Sequence, residues 1–261
     1  MQILNPQLDL DAFFRALHAA APRLLLLDYD GTLAPFHPDR FQARPYPQVA
    51  ELLQAIIDGG RTRLVIISGR ALADLRPMLP LDPMPELWGA HGWERQLPDG
   101  TAEQAAPERE VGAALERAAA AVAALGLAKR SERKTASVTV HWRGLPAEDA
   151  AAIRQAAAQR WQPLAIPEKL ALHTFDGGLE LRALGRDKGV AVRTILAEQP
   201  GNFASAACFG DDATDEDAFL ALRGHGVSFL VQPKFRPTAA DVWIAPPAEL
   251  VAVLGQWVGE R

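Results

Sequence analysis

The chain has 261 residues, of which 49% are hydrophobic, and it carries a formal net charge of −5. This length allows one large domain or two modest ones, with enough apolar residues for a substantial core. The negative charge argues against a basic surface for nucleic acid or anionic membranes, and the single cysteine, Cys208, excludes an intrachain disulfide.

Neither a targeting signal nor a membrane-spanning segment is apparent. The N-terminus lacks a basic region followed by an apolar stretch, and the longest apolar run, 118–125, is far shorter than the ~20 residues that cross a bilayer. We therefore expect a cytoplasmic monomer with no nucleic-acid or membrane partner.

Strand-like and helical patterns alternate in the first and last thirds of the chain. Such alternation predicts right-handed crossovers and a mostly parallel sheet of the Rossmann-like α/β class. The predicted strands are 23–27, 64–67, 206–209, 226–230 and 242–244, and the predicted helices are 48–58, 72–78, 188–198, 215–222 and 248–258.

The middle of the chain has a different pattern. Long alanine-rich helices are predicted over 108–125 and 148–161, with a half-exposed strand at 137–142 between them. Two further short strands, 172–175 and 179–182, meet at a hairpin turn over 176–178. We therefore expect an α+β module, 97–176, inserted into an α/β core made of 1–96 and 177–261.

The first predicted strand, rich in leucine, ends at Asp28-Tyr29-Asp30-Gly31-Thr32. Ligand sites in open α/β sheets lie at such strand ends, and burying an unpaired carboxylate is expensive. A carboxylate can attack phosphorus, and a second one two positions on can protonate a leaving oxygen. The alternative is an aspartate in a turn or helix cap, which the preceding buried strand makes less attractive for Asp28.

Two shorter signals are weak when taken alone. Ser68-Gly69-Arg70 follows a second buried strand, where a hydroxyl and backbone amides can cradle phosphate oxygens, although an ordinary helix-capping serine fits as well. Lys188 opens a helix and can neutralise phosphate charge in a transition state. By itself, Lys188 is more simply interpreted as a surface lysine.

A second acidic motif, Gly210-Asp211-Asp212-Ala213-Thr214-Asp215-Glu216-Asp217, follows another buried strand. Five carboxylates so close together repel one another without a cation, and hard oxygen ligands suit Mg²⁺. The end of the motif also fits a helix start capped by Thr214, with acids complementing the helix dipole. We expect Asp211 and Asp212 to serve the metal, Asp215 to lie behind them, and the last two acids to serve the helix.

The order of these motifs, each after a strand, resembles the haloacid-dehalogenase (HAD) phosphohydrolase superfamily over nearly the whole chain. The resemblance implies that Asp28 is the nucleophile and Asp30 the general acid/base. It also implies that Ser68, Gly69 and Lys188 hold the phosphoryl group.

The same resemblance implies a metal site and a second domain. Mg²⁺ would be bound by the Asp28 carboxylate, the backbone carbonyl of Asp30 and Asp211, with Asp212 close by. The inserted module would be a C2-type cap that chooses the substrate.

Further segments resemble the trehalose-6-phosphate phosphatases within that superfamily. They are Gly89-Ala90-His91-Gly92, Glu132-Arg133-Lys134, His141-Trp142-Arg143, Glu180 and the run 210–216. The resemblance implies that Glu132, Lys134 and Glu180 hydrogen-bond sugar hydroxyls, with His91 and Gly92 lining the floor. Without it, Glu132 and Lys134 would be interpreted as part of a solvated charge run, 129–134.

The sequence therefore predicts a Mg²⁺-dependent phosphatase for trehalose 6-phosphate, acting through an aspartyl phosphate. Other capped phosphatases, for sucrose 6-phosphate or mannosyl phosphoglycerate, remain alternatives, and a phosphomutase is a more distant one. A phosphate- or metal-sensing module is the non-enzymatic alternative, for which Asp30 and Lys188 would be superfluous.

Overall fold

The computed structural model describes residues 1–19, 21–175, 177–199 and 203–259. The strands are β1 (Gln2–Ile3), β2 (Arg23–Leu27), β3 (Thr62–Ile67), β4 (Glu86–Gly89), β5 (Glu94–Gln96), β6 (Ala102–Gln104), β7 (Ser131–Lys134), β8 (Ser137–His141), β9 (Leu170–Phe175), β10 (Gly178–Ala183), β11 (Ser205–Gly210), β12 (Val227–Val231) and β13 (Val242–Ile244). The helices are α1 (Leu10–Ala19), α2 (Pro47–Asp58), α3 (Leu72–Leu75), α4 (Arg109–Ala124), α5 (Ala147–Trp161), α6 (Lys188–Ala197), α7 (Glu216–Leu222) and α8 (Ala248–Val258).

The larger sheet has, over the described residues, nine strands in the order β1-β13-β12-β11-β2-β3-β4-β5-β6. The pairs from β13 through β4 are parallel, whereas β1 pairs antiparallel with β13 and β5 pairs antiparallel with β4. The mostly parallel α/β sheet predicted from the sequence is confirmed.

Strand β2 lies in the middle of this sheet and is buried on both faces. Its side chains at Leu25 and Leu27 pack into the apolar cluster that includes α1, α2 and α8. Those at Leu24 and Leu26 pack into a second cluster with α6 and α7. A strand covered by helices on both faces is apolar throughout rather than alternating, which explains the four consecutive leucines.

The smaller sheet is antiparallel, with the order β7-β8-β10-β9. Helices α4 and α5 belong to the same unit, and the indole of the buried Trp161 on α5 donates to the Ala118 carbonyl on α4 at 3.0 Å. The predicted hairpin between 172–175 and 179–182 corresponds to β9 and β10, which pair antiparallel. Asp176 of its predicted turn lies outside the described residues.

The chain divides into two compact units, 1–103 with 187–261, and 104–186. The expected insertion was 97–176, so the limits differ at both ends. Residues 178–183 belong to the second unit because β10 pairs with both β8 and β9. Residues 97–103 stay with the first because β5 and β6 extend the larger sheet. The assignment of the second unit as a cap stays a prediction.

Several short strands were not predicted, because charged residues interrupt their apolar pattern. In β4 the carboxylate of Glu86 is buried and accepts hydrogen bonds from Arg63 and Arg95, both at 2.9 Å. Strand β7 is polar throughout its sequence.

None of the helices in the described ranges combines the length and apolar character that a membrane span requires.

Candidate active site

Three neighbouring parallel strands carry the predicted motifs at their carboxyl ends. Strand β2 lies between β11 and β3, and it is followed by Asp28, while β3 is followed by Ser68 and β11 by Asp211. All three side chains are buried. The sheet order therefore brings these distant segments together at the carboxyl ends of the strands, as expected for an open α/β sheet.

Lys188 is buried between two carboxylates, with only 3% of its surface exposed. Its Nζ donates to Oδ1 of Asp28 at 2.6 Å and to Oδ1 of Asp215 at 2.7 Å. Asp187 caps α6 by accepting from the Val190 amide at 2.7 Å, which fixes the first turn that carries the lysine. The interpretation of Lys188 as a surface lysine is therefore wrong.

The Asp215 carboxylate links the backbone of the acidic loop to Lys188. Its Oδ2 accepts from the backbone amides of Asp211 and Asp212, both at 3.1 Å, while its Oδ1 holds Lys188. This agrees with its expected place behind the other two aspartates. Thr214, however, does not cap α7, because its amide and hydroxyl both donate to Oδ1 of Asp212, at 2.7 and 2.6 Å.

Gly31 makes room for the second acidic motif beside the first. Its φ of +82° lies in the left-handed region, and a Cβ at this position would lie 2.1 Å from Oδ2 of Asp211. Only glycine satisfies both the backbone conformation and this close approach. The glycine of the first motif thus brings the Asp211 carboxylate against the loop that carries Asp28.

Burial and mutual repulsion shift the pKa values in this cluster. Desolvation raises the pKa of Asp28, even though Lys188 opposes the shift. Desolvation, followed by repulsion from Asp28 and Asp215, raises the pKa of Asp211 well above its ordinary value. The pKa of Asp215 is raised to about 8, chiefly by burial. Such perturbed groups at a strand end are typical of a functional site.

Lys188 and Asp212 both remain charged, because attraction to partners outweighs the effect of burial. Burial acts to lower the pKa of Lys188, but Asp215 and Asp28 outweigh it and raise that pKa well above the ordinary value. Burial acts to raise the pKa of Asp212, whereas Lys188 and the bonds from Thr214 lower it overall. The cluster therefore contains one positively charged lysine and several carboxylates.

Sequence reasoning missed the partner of Asp30. Arg70 donates from Nε and Nη2 to the two carboxylate oxygens of Asp30, both at 2.6 Å, and its guanidinium lies 5.6 Å from the centre of the Tyr29 ring. Arg70 directly follows Ser68-Gly69 and so belongs to the predicted motif. Nothing in the local sequence, however, indicates that its side chain contacts Asp30. Its fork holds the predicted acid/base in one orientation.

The predicted floor residues lie on a strained segment after β4. Ala90, His91 and Gly92 all have positive φ, of 49°, 56° and 93°. The His91 amide donates to the Ser68 carbonyl at 3.0 Å, and a Cβ on Gly69 would lie 2.7 Å from the His91 ring. Strain of this kind persists where the surroundings impose it, often at functional sites. The structure thus brings Ser68, Gly69 and His91 together.

The donor set fits a hard divalent cation. One oxygen each from Asp28, Asp211 and Asp215 lie within 4.8 Å of one another, and all three residues are buried. Lys188 alone does not balance their charge, and an all-oxygen donor set suits Mg²⁺. Oδ1 of Asp215 accepts from Lys188 at 2.7 Å and its Oδ2 accepts from two loop amides at 3.1 Å. Oδ2 of Asp28 accepts a longer bond, from the Thr32 hydroxyl at 3.4 Å, so Asp28 and Asp211 are the better placed ligands.

The second unit brings together the three predicted sugar contacts. Oε1 of Glu180 accepts from the hydroxyls of Ser137 at 2.7 Å and Thr139 at 3.1 Å, and Lys134 Nζ lies 3.5 Å away. Lys134 also lies 3.9 Å from Glu132, and the side chains of both are at most 10% exposed. The interpretation of Glu132 and Lys134 as a solvated charge run is therefore wrong.

The strand order and the acidic centre at the strand ends define an α/β protein that shares its fold with phosphatases of the haloacid-dehalogenase (HAD) superfamily. A solved phosphatase of that superfamily from Bacteroides thetaiotaomicron aligns over 91% of this chain and 95% of its own, with 17% identity and a TM-score of 0.58. At this identity the likeness concerns the fold alone.

The chain belongs to the trehalose-phosphatase family, whose family model matches residues 26–241. A trehalose-phosphate phosphatase from Mycobacterium marinum is 32% identical over 247 residues, which cover 89% of this chain and 60% of that protein. The chain therefore spans about 60% of the length of that relative.

Solved structures extend the likeness over the whole chain. An Aspergillus fumigatus trehalose-6-phosphate phosphatase is 25% identical, with a TM-score of 0.68 and coverage of 98% of this chain and 100% of its own. The C-terminal domain of a Candida albicans trehalose-6-phosphate phosphatase covers 99% of both chains at 21% identity, with a TM-score of 0.78, and thus shares the fold.

Proposed function

We propose that this protein is a Mg²⁺-dependent phosphatase that hydrolyses trehalose 6-phosphate to trehalose and inorganic phosphate. One observation carries the proposal: Lys188 contacts Asp28 at 2.6 Å, within a region that matches the trehalose-phosphatase family. A carboxylate nucleophile beside a buried cation is suited to phosphoryl transfer.

The reaction proceeds in two displacements on phosphorus. An oxygen of Asp28 forms a bond to phosphorus as the bond to the sugar oxygen breaks, and Asp30 gives a proton to that oxygen. Asp30 then takes a proton from water, which attacks phosphorus, releases phosphate and regenerates Asp28. Lys188 and Ser68 stabilise the phosphoryl oxygens in both steps.

Asp28, Asp211 and the backbone carbonyl of Asp30 would hold Mg²⁺, with Asp212 close by. When bound, the ion supplies positive charge to the phosphoryl oxygens and offsets repulsion among the carboxylates. In the second unit, Glu132, Lys134 and Glu180 would hydrogen-bond sugar hydroxyls. His91 and Gly92 would form the floor beside Ser68.

The first test replaces the nucleophile. Asp28→Asn keeps the shape of the side chain but removes the attacking oxyanion, so phosphate release from trehalose 6-phosphate should fall at least about a thousandfold. Asp58→Asn, an exposed position at the end of α2, is the matched control and should retain wild-type activity. Activity of the Asp28 variant near that of wild type would contradict the mechanism.

A substrate panel tests the substrate and the metal. Trehalose 6-phosphate, sucrose 6-phosphate and mannosyl phosphoglycerate are compared with and without MgCl₂, and we expect the first to be preferred and EDTA to abolish turnover. Product analysis separates hydrolysis from mutase activity, because a mutase moves phosphate without releasing it.

The cytoplasmic location and the monomeric state stay predictions. Sedimentation checks the monomeric state.

A further inference from the structure

A loop beyond β12 binds the backbone of the second acidic motif. Arg236 donates from Nε to the carbonyl of Asp211 at 3.1 Å and from Nη2 to the carbonyl of Asp212 at 2.7 Å. Gln232 Nε2 donates to the Asp211 carbonyl at 3.0 Å. Three donors from one loop therefore converge on two consecutive carbonyls.

The guanidinium of Arg236 is itself held from its other side. Its Nη1 donates to Oε1 of Glu216, on the first turn of α7, and to the carbonyl of Pro237 at 2.9 Å. Glu216 also accepts from the Thr238 hydroxyl at 2.9 Å and from the Ala239 amide at 2.7 Å. The sequence assigned Glu216 to the helix dipole, whereas its carboxylate anchors this arginine.

This geometry constrains the acidic side chains. Fixing two successive carbonyls fixes the orientation of the peptide groups on either side of Asp212. The amide of Asp211 is held by Oδ2 of Asp215 at 3.1 Å, so the peptide groups on both sides of Asp211 are fixed as well, and with them the direction in which both side chains leave the backbone. The planar fork of arginine reaches both carbonyls at once, which the single ammonium of a lysine does not reproduce. Arg236 also adds positive charge behind a cluster with excess carboxylates.

We propose that Arg236, anchored by Glu216, is a positioning residue that orients Asp211 and thereby sets the affinity of the site for Mg²⁺. The inference rests on the proposed function, because it assumes that Asp211 is a metal ligand. Outer partners of metal ligands act in this way, since they restrict the ligand to its binding orientation before the ion arrives.

The test measures Mg²⁺ binding without substrate. The melting temperature of wild type and of Arg236→Lys is recorded against MgCl₂ concentration, and calorimetry gives the same affinity independently. Arg236→Lys should raise the half-saturating Mg²⁺ concentration by about ten- to a hundredfold. Glu216→Gln, which keeps the arginine but removes its anchoring charge, should shift it in the same direction by less.

Arg133→Lys is the matched control. Arg133 is 30% exposed against 28% for Arg236, pairs with Glu116 and donates to the Ser137 carbonyl, but lies in the second unit. Its Mg²⁺ half-saturation should equal that of wild type. A lower melting temperature for Arg236→Lys with unchanged half-saturation would make Arg236 merely structural and overturn the inference.

Phosphate release from trehalose 6-phosphate by wild type separates this inference from the proposed function. Release by wild type, with equal Mg²⁺ half-saturation in both Arg236→Lys and wild type, would leave the function standing and overturn the inference. A shifted half-saturation without phosphate release would support the inference and contradict the substrate. A wild-type protein that does not respond to Mg²⁺ would overturn both the metal site and the inference.

Discussion

Lys188 and its two carboxylate partners illustrate how this protein arranges charge at the level of single residues. Taking a lysine and two aspartates out of water is expensive, and their mutual attraction does not reliably repay it. An apolar replacement of similar volume would often be no less stable. The arrangement is therefore better explained by chemistry than by stability, in agreement with the displaced pKa values around it.

The bidentate pair between Arg70 and Asp30 gives a prediction at the same scale. Arg70→Lys keeps the positive charge but bonds only one carboxylate oxygen, so under the proposed mechanism Asp30 can rotate away from the leaving oxygen. We expect kcat for trehalose 6-phosphate to fall by about ten- to a hundredfold, with a smaller change in KM. Steady-state kinetics with both parameters resolved checks this.

Arg76→Lys, on the exposed turn after α3, is the control and should match wild type in both parameters. If Arg70→Lys instead raises KM and leaves kcat unchanged, Arg70 contributes to substrate binding rather than to the orientation of Asp30.

Helix α6 is held at both ends. Its first residue is Lys188, and Glu198 follows its last residue. Glu198 accepts from Nη1 and Nη2 of Arg95 at 2.6 and 2.7 Å, and from Arg63 at 2.7 Å, while the buried Glu86 bonds the same two arginines. These bonds tie the end of the helix to β3, β4 and β5, and so stabilise the element that carries Lys188.

The charge network predicts a pH-dependent contribution to stability. Hydrogen bonds from Arg95, and then from Arg63, lower the pKa of Glu198 below its ordinary 4.5, against the effect of burial. A lowered pKa in the folded state stabilises the protein above the unfolded pKa, and that stability is lost as the pH falls through the folded value. Wild type should therefore melt higher than Glu198→Gln at pH 7, and the difference should vanish in strong acid.

Glu103→Gln supplies the comparison, because Glu103 lies 3.7 Å from Arg95 but is 59% exposed. Screening by water makes such a pair weak, so its replacement should change the melting temperature little at any pH. A difference between Glu198→Gln and wild type that persists unchanged from pH 7 to strong acid would show that shape, not charge, is responsible.

At the scale of the whole molecule, the proposed function assigns chemistry and recognition to different units. The strand-end carboxylates and Lys188 belong to the first unit, and Glu132, Lys134 and Glu180 to the second. Under the proposed function, a substitution in the second unit should therefore affect substrates in proportion to their hydroxyl groups. A small phosphomonoester offers the first unit the same phosphate without the sugar.

Glu180→Gln tests this division. It should lower kcat/KM for trehalose 6-phosphate by about ten- to a hundredfold, because a charged hydrogen-bond partner is lost. Activity on p-nitrophenyl phosphate should change little. Glu116→Gln, on the exposed side of α4 in the same unit, is the control for both substrates. Equal losses on the two substrates would contradict a role for Glu180 in sugar recognition.

The sheet and its acidic edge were the parts that local pattern could predict. A run of four leucines buried on both faces identified β2. The aspartates after it identified the carboxyl end of this strand as a place where buried carboxylates need a partner. Likewise, the short apolar run before Gly210 identified β11. Strands buried by helices must be apolar along their whole length, so their ends are visible in the sequence alone.

Long polar side chains were the parts that local pattern could not predict. Arg70 reaches Asp30 across 40 residues, and Arg236 reaches Asp211 across 25. Glu86 interrupts an apolar strand because two arginines from other strands neutralise it. The polar run of β7 looked solvated until its pairing with β8 placed it beside Glu180.

The sequence by itself determined the α/β class, the buried central strands and the two aspartate motifs at their ends, because burial and backbone conformation constrain neighbouring residues directly. Only the tertiary structure decided that Lys188 is buried, that Asp215 holds the acidic loop, that Arg70 contacts the Asp30 carboxylate and that Arg236 contacts the carbonyls of Asp211 and Asp212. These facts depend on strand order and on side chains that meet across the sheet edge, and no spacing along the chain encodes which of many arginines will reach a given carboxylate.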